Sequence, residues 1–199
     1  MELRRADLLP DPVDQFRAWF REAAEFDPMP EAMTLATVDN AGRPDARMVL
    51  LKGAGVDGFR FFTNYEGVKA GQITANPAAA LVFNWPELSR QVRIRGDIDR
   101  LGDEDSDAYF ASRDRNSQIG AWASPQSRPL EDRNALQRLT GEVEAMFPEE
   151  TEIPRPPNWG GFILRPDEFE FWQGRPARLH DRFRYSDGPG DWRIERLAP

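Results

Sequence analysis

Histidine occurs once in the 199 residues, at His180, inside the stretch ARLHDRFRY (177–185), with Arg178 two positions before it and Arg182 two positions after. Cations this close repel one another, so the arrangement needs solvent to dissipate the field or an anion to neutralise it. Phe171, Trp172, Phe183 and Tyr185 surround the group in sequence and favour a partly enclosed site. An enclosed guanidinium suits phosphate or carboxylate, and a histidine with an ordinary pKa of about 6.5 can hydrogen-bond or exchange a proton there. The plainer alternative is the solvated face of an edge strand, where arginines are common.

A second group lies in DAYFASRDRNSQIGAW (107–122), where Tyr109, Arg113 and Ser117 follow one another at intervals of four. On a continuous helix all three share one face, and hydroxyl, guanidinium and hydroxyl together make a phosphate grip. A surface helix whose Tyr and Arg merely pack is the competing reading. Of the 26 basic residues only Lys52 and Lys69 are lysines. Arginine is the default cation here, so each lysine marks a place where a compact point charge is called for. Lys52 ends the apolar run RMVLLK (47–52), which places its ammonium at a strand rim, within reach of an anion or of solvent. No glycine-rich phosphate loop has the required spacing and following helix.

Composition narrows the chemistry further. Cysteine is absent, which removes disulfides, thiolate catalysis and thiolate-bound metals, and a single histidine argues against a histidine-built metal site. Difficult chemistry must then come from carboxylates, hydroxyls, cations or an organic cofactor. The formal charge of −8 argues against general nucleic-acid binding. The longest apolar runs are too short to span a bilayer, and the N-terminus lacks the apolar core of a signal peptide, so a cytoplasmic protein is expected.

The elements that must position these residues form one domain over 1–199. A helix is expected over about 11–25, with Asp11 as N-cap, Pro12 at its first position, and Phe16, Trp19, Phe20 and Ala23 on one face. AMTLATV (32–38) and ARMVLLK (46–52) read as a hairpin; GFRFFTN (58–64) and AAALVFNW (78–85) read as further strands with a short helix between them. RQVRIRGDIDRL (90–101) alternates as a half-buried antiparallel strand. Helical spacing returns over 103–113 and 130–147, the latter with Leu136, Leu139, Val143 and Met146 as its core stripe. The last section reads as strands GGFILRP, EFEFWQG and ARLHDRFRYS, a DGPG turn and DWRIERL; the pair over about 177–197 completes the site. On the first strand of that pair, Arg178, His180, Arg182 and Arg184 would share one face. The whole is an α+β protein, mainly antiparallel β: a barrel or strongly curved sheet with peripheral helices.

RMVLLK, FFTN, RQVRIRG, RDRNSQIGAWAS, WGGF, EFWQG, RLHDRF and the ending IERLAP occur in this order. Together they resemble the pyridoxine/pyridoxamine 5′-phosphate oxidase family over nearly the whole chain. The resemblance implies an FMN-binding split β-barrel working as a homodimer, with FMN at the subunit interface. It implies oxidation of pyridoxamine or pyridoxine 5′-phosphate to pyridoxal 5′-phosphate, with dioxygen reduced to hydrogen peroxide. By motif, Arg47, Lys52, Phe62, Thr63, Lys69, Gln91, Gln126, Ser127, Trp172 and Arg182 correspond to cofactor contacts. Lys52, Tyr109, Arg113 and Ser117 correspond to the clamp on the substrate phosphate, and Arg178 and His180 to the catalytic pair over the pyridine ring. On this reading Arg178 and His180 mainly orient the substrate.

The chain departs from the family pattern at Gly67 and Val68, where a serine and a basic residue are usual, so weaker FMN retention is expected. Since it begins about where the family core begins, a site not covered by the segment that folds over the substrate in longer members is expected. Rival readings are a split-barrel flavin oxidase acting on another ring, such as the phenazine-forming branch, and a non-catalytic flavin or pyridoxal-phosphate binding protein. Lys52, Arg113 and Ser117 favour a phosphorylated substrate over the first; Arg178 beside His180 favours catalysis over the second.

Overall fold

A computed structural model describes residues 2–186 and 191–199, so the expected DGPG turn (187–190) lies outside the described residues. The first helix, α1 (Pro12–Ala23), starts where its capping chemistry dictates: the Asp11 carboxylate accepts from the backbone N–H of Val13 at 2.7 Å and of Asp14 at 3.3 Å. Its apolar face enters the sheet. Phe16 packs 4.9 Å from the Phe83 ring and 5.0 Å from Phe59, and Trp19 meets Phe171 at 5.2 Å, edge to face.

Nine strands among the described residues form one antiparallel, curled sheet: β1 (Ala32–Val38), β2 (Pro44–Leu50), β3 (Gly53–Gly55), β4 (Gly58–Asn64), β5 (Ala78–Trp85), β6 (Arg90–Arg100), β7 (Trp159–Gln173), β8 (Asp181–Ser186) and β9 (Arg193–Leu197). The order is β2-β1-β5-β6-β7-β4-β3, with β8 and β9 continuing from β7. Two strands expected separately, GGFILRP and EFEFWQG, are one strand, β7. Pro166 survives inside it because the β6 register shifts there: Arg95 pairs with Glu168 but Gly96 with Pro166, which leaves Asp167 bulged. Gly96 is required at this point, since a Cβ on it would lie 1.9 Å from the Arg165 carbonyl oxygen.

β7 is the spine. Its first half pairs with β4 and its second half with β8, while β6 runs along the opposite edge. Phe59, Phe61, Phe83, Val92, Ile94, Phe169, Phe171 and Phe183 fill the interior of the curl. The helices α2 (Val68–Ala75), α3 (Asp103–Ala111), α4 (Arg115–Ala123) and α5 (Arg133–Met146) lie outside it. α3 to α5 share a smaller core with Trp159 and Ile153. The stripe of α5 is turned from the expected one: Leu139, Val143 and Phe147 pack inward, whereas Leu136 and Met146 are exposed. None of the helices is long and apolar enough to cross a membrane among the described residues.

Candidate functional site

The continuous helix that would put Tyr109, Arg113 and Ser117 on one face does not form. α3 ends at Ala111, and Asp114 caps α4 by accepting from the Ser117 backbone N–H at 2.9 Å. Asp114 favours a cap over a helix interior because its short carboxylate competes for backbone N–H groups. The break does not scatter the three residues. Tyr109, Arg113 and Ser117 line one cavity of about 570 Å³ together with Lys52, Phe62, Thr63, Lys69 and Gln126.

The cavity has two cationic ends. At one, the Arg113 guanidinium lies 4.6 Å from the Trp159 ring centroid, and its buried Nη1 has no hydrogen-bond partner. Burial pulls the Arg113 pKa down, against the nearby Tyr109 and Asp114. A buried, unpartnered guanidinium N–H costs free energy unless a ligand meets it. Phe62 stacks on Tyr109 at 3.9 Å, which fixes the phenol beside Arg113. At the other end Lys69 Nζ donates to Gln126 Oε1 at 2.7 Å and to Thr63 Oγ1 at 3.2 Å. Burial, and then the charge of Arg47, lowers the Lys69 pKa below that of an ordinary lysine. Arg47 itself donates to Thr37 Oγ1 at 2.6 Å and to Gln72 Oε1 at 2.9 Å, and pairs with Asp45 at 2.5 Å. Ser127, with φ +67°, turns its Oγ to accept from the Val68 N–H at 3.4 Å.

The remaining expected residues lie elsewhere. Gln91 on β6 pairs with Trp172 on β7, which pairs with Arg182 on β8. Arg178 and His180 are not on that strand: β8 begins only at Asp181, and Leu179 just before it is 68% exposed. A helical turn at Pro176–Arg178 precedes it, with Ala177 at φ +57° and Arg178 at φ +62°. Two successive non-glycine residues in the left-handed region carry strain that the surroundings must hold in place, as at many functional sites. His180 is fixed from both sides. Its ring lies 4.5 Å from that of Trp172, and its Nδ1 accepts from the Arg175 backbone N–H at 3.1 Å. With Nδ1 as acceptor, the proton of the neutral ring sits on Nε2, which is left as a donor. Arg182 is anchored too, donating from Nε to Glu170 Oε1 at 2.8 Å and from Nη1 to the Ala198 carbonyl at 2.8 Å.

The two groups sit toward opposite ends of β7. Gly160 pairs with Thr63 of the cavity, and Trp172 lies twelve residues further along, about 40 Å of extended strand. Two residues that the motifs left without a role belong to the site. Trp159 holds Arg113, and its signal is the aromatic in WGGF. Glu170, 5% exposed, ties Arg182 to Arg93, and its signal is a carboxylate alternating with phenylalanines in EFEF. A larger, more apolar groove of about 870 Å³ lies between α1 and residues 51–54 and shares Lys52. Its Arg17 is already paired with Asp14 and donates to the Ala54 carbonyl.

Residues 20–147 match the profile of the family described as pyridoxamine 5′-phosphate oxidase, and residues 159–199 that of the pyridoxine 5′-phosphate oxidase C-terminal dimerisation region. The chain is 55% identical to the pyridoxine/pyridoxamine 5′-phosphate oxidase of Salinibacter ruber, over 100% of this chain and 94% of that one. It is 52% identical to the enzyme of the same name from Cupriavidus necator, over 99% and 93%. Among solved structures it superposes on PhzG from Burkholderia lata 383, in complex with tetrahydrophenazine-1-carboxylic acid, with a TM-score of 0.91 at 30% identity, covering 100% of this chain and 98% of that one. A pyridoxamine 5′-phosphate oxidase-related, FMN-binding protein from Nostoc punctiforme shares the fold with a TM-score of 0.75 at 21% identity, over 96% and 100%.

Proposed function

The chain belongs to the pyridoxine/pyridoxamine 5′-phosphate oxidase family, and from that premise we propose that it oxidises the C4′ amine or alcohol of pyridoxamine or pyridoxine 5′-phosphate, using FMN and dioxygen. One observation carries the substrate half of the reading: Arg113 is held over Trp159 with a buried Nη1 that has no partner, in the cavity that Lys52 also lines. A phosphate supplies what that nitrogen lacks. The FMN half is supported by the donor set at the cavity's other end, Lys69, Thr63 and Ser127 with Arg47 behind them, which suits a second phosphate.

Neither group of residues serves alone. The separation of the cavity from Gln91, Trp172, Arg178, His180 and Arg182 along β7 supports a homodimer in which one copy supplies the cavity and its partner the second group. That residues 159–199 match a dimerisation region fits the same arrangement.

When bound, FMN supplies the acceptor for the hydride leaving C4′, and dioxygen takes the electron pair on as hydrogen peroxide. The chain's own work is to hold and orient. Lys52, Tyr109, Arg113 and Ser117 would grip the substrate phosphate and fix the ring's distance from the cofactor. Arg178 and His180 would sit over the pyridine. A guanidinium cannot take up a proton, and His180 in its present tautomer offers a donor at Nε2, so both act as orienting donors.

The test is a substrate panel on FMN-loaded protein, reading aldehyde and peroxide together. Pyridoxamine and pyridoxine 5′-phosphate should both turn over, while their unphosphorylated forms should lose on the order of a hundredfold in kcat/KM, as expected when charge-assisted hydrogen bonds worth about 3 kcal/mol are removed. Turnover of a reduced phenazine carboxylate, with no turnover of either phosphate ester, would instead place the chain with its PhzG-like neighbour.

A further inference from the structure

We propose that Gly67 sets how tightly this chain binds a phosphate at the Lys69 end of the cavity, because it leaves room for the Gln126 carboxamide to compete with that phosphate for Lys69. The inference rests on reading that end as the cofactor-phosphate site.

The backbone does not demand glycine at position 67. Gly67 precedes α2 with φ −72° and ψ 158°, a conformation open to every residue. The demand comes from a neighbour, since a Cβ on Gly67 would lie 2.6 Å from Gln126 Oε1. The volume of a first side-chain atom is therefore taken by the amide oxygen of a residue 59 positions further along the chain. That oxygen is the closest partner of Lys69 Nζ, at 2.7 Å, and accepts from Thr63 Oγ1 at 3.2 Å.

Lys69 has three N–H donors. Gln126 and Thr63 hold two, so a phosphate gains a second N–H when Gln126 turns away. Gly67 gives α2 no side-chain cap, and Ser127 Oγ accepts from the Val68 N–H in its stead. The Gln126 oxygen thus stands on a donor that an anion would use. Adding a Cβ at position 67 costs little elsewhere, because the atom it strikes is the far end of a flexible side chain.

The test is a double-mutant cycle on the full chain: wild type, Gly67→Ala, Gln126→Ala and the pair. FMN and riboflavin affinities are read by flavin fluorescence in phosphate-free buffer, with melting temperature as the check on folding. Gly67→Ala should bind FMN more tightly by on the order of tenfold, about 1.4 kcal/mol. It should leave riboflavin unchanged and add nothing in the Gln126→Ala background. An equal effect in both backgrounds, or an unchanged or weaker FMN affinity in folded Gly67→Ala, overturns the proposal while leaving the cofactor reading standing. If folded wild type and all variants bind no FMN, the cofactor reading and the proposal fall together.

Discussion

Arg113 and Trp159 form a stacked pair, guanidinium over indole at 4.6 Å, between a helix junction and the first residue of β7. The contact gives Arg113 a fixed position without using its N–H groups, which leaves them for an anion. Trp159→Phe should weaken the hold, and Trp159→Leu should remove it. A cation–π contact at a partly desolvated site contributes about 1–2 kcal/mol, so KM for the phosphorylated substrate should rise about tenfold in Trp159→Leu with little change in kcat. Steady-state kinetics decide it; an equal rise in KM for unphosphorylated pyridoxamine would mean a general loss of packing.

A site shared between two copies makes a quantitative prediction. Arg113→Ala and Arg178→Ala should each be nearly inactive alone. Unfolded together and refolded in equal amounts, half of the dimers are mixed, and each mixed dimer regains one intact site. About one quarter of wild-type activity should return. No recovery in folded mixed dimers would place both residues in the same copy's site.

Glu170 is predicted to govern acid stability. Burial alone would raise its pKa, but the hydrogen bond from Arg182 and the charge of Arg93 outweigh it and hold the carboxyl below its ordinary 4.5. A carboxylate depressed in the folded state stabilises fully above its unfolded value, and that contribution is lost as pH falls through the folded one. Glu170→Gln should cost on the order of 3 kcal/mol at pH 7, because it leaves two arginines facing a neutral group. In urea titrations the gap to wild type should narrow as pH drops below 4.5. A gap that stays constant would mean that packing, not charge, is the cause.

Lys69 gives the opposite limb. Its pKa is lowered by burial and then by Arg47, so its charge is lost on the alkaline side sooner than that of an exposed lysine. FMN affinity should therefore weaken as pH rises through that lowered value. Lys69→Arg should abolish this limb, since arginine stays protonated. An alkaline limb unchanged in Lys69→Arg would assign it to another group.

Much of the fold is legible in the sequence because period-two alternation is strong where one face of a strand is buried: Val92, Ile94 and Ile98 locate β6, and Asp11 with Pro12 locates the start of α1. The strand around His180 misled because alternation of cations continues upstream of Asp181, while the backbone at Ala177 and Arg178 turns left-handed, which side-chain pattern does not encode. Pro166 suggested a strand end for the same kind of reason, since only pairing with Gly96 across the sheet reveals a bulge. The site residues were legible as chemical types. Their pairings were not: Gln126 on Lys69 and Trp159 under Arg113 are contacts over 57 and 46 positions, and local sequence marks the residues without saying which of them meet.

The central claim is that this chain oxidises a phosphorylated pyridine substrate through bound FMN. The most direct measurement mixes FMN-loaded protein anaerobically with pyridoxine 5′-phosphate, follows the flavin absorption band, and then admits air. Bleaching, followed by recovery of the band with formation of pyridoxal 5′-phosphate, is the predicted result. A band that stays unbleached with both pyridoxine and pyridoxamine 5′-phosphate, although flavin is bound, would contradict the account.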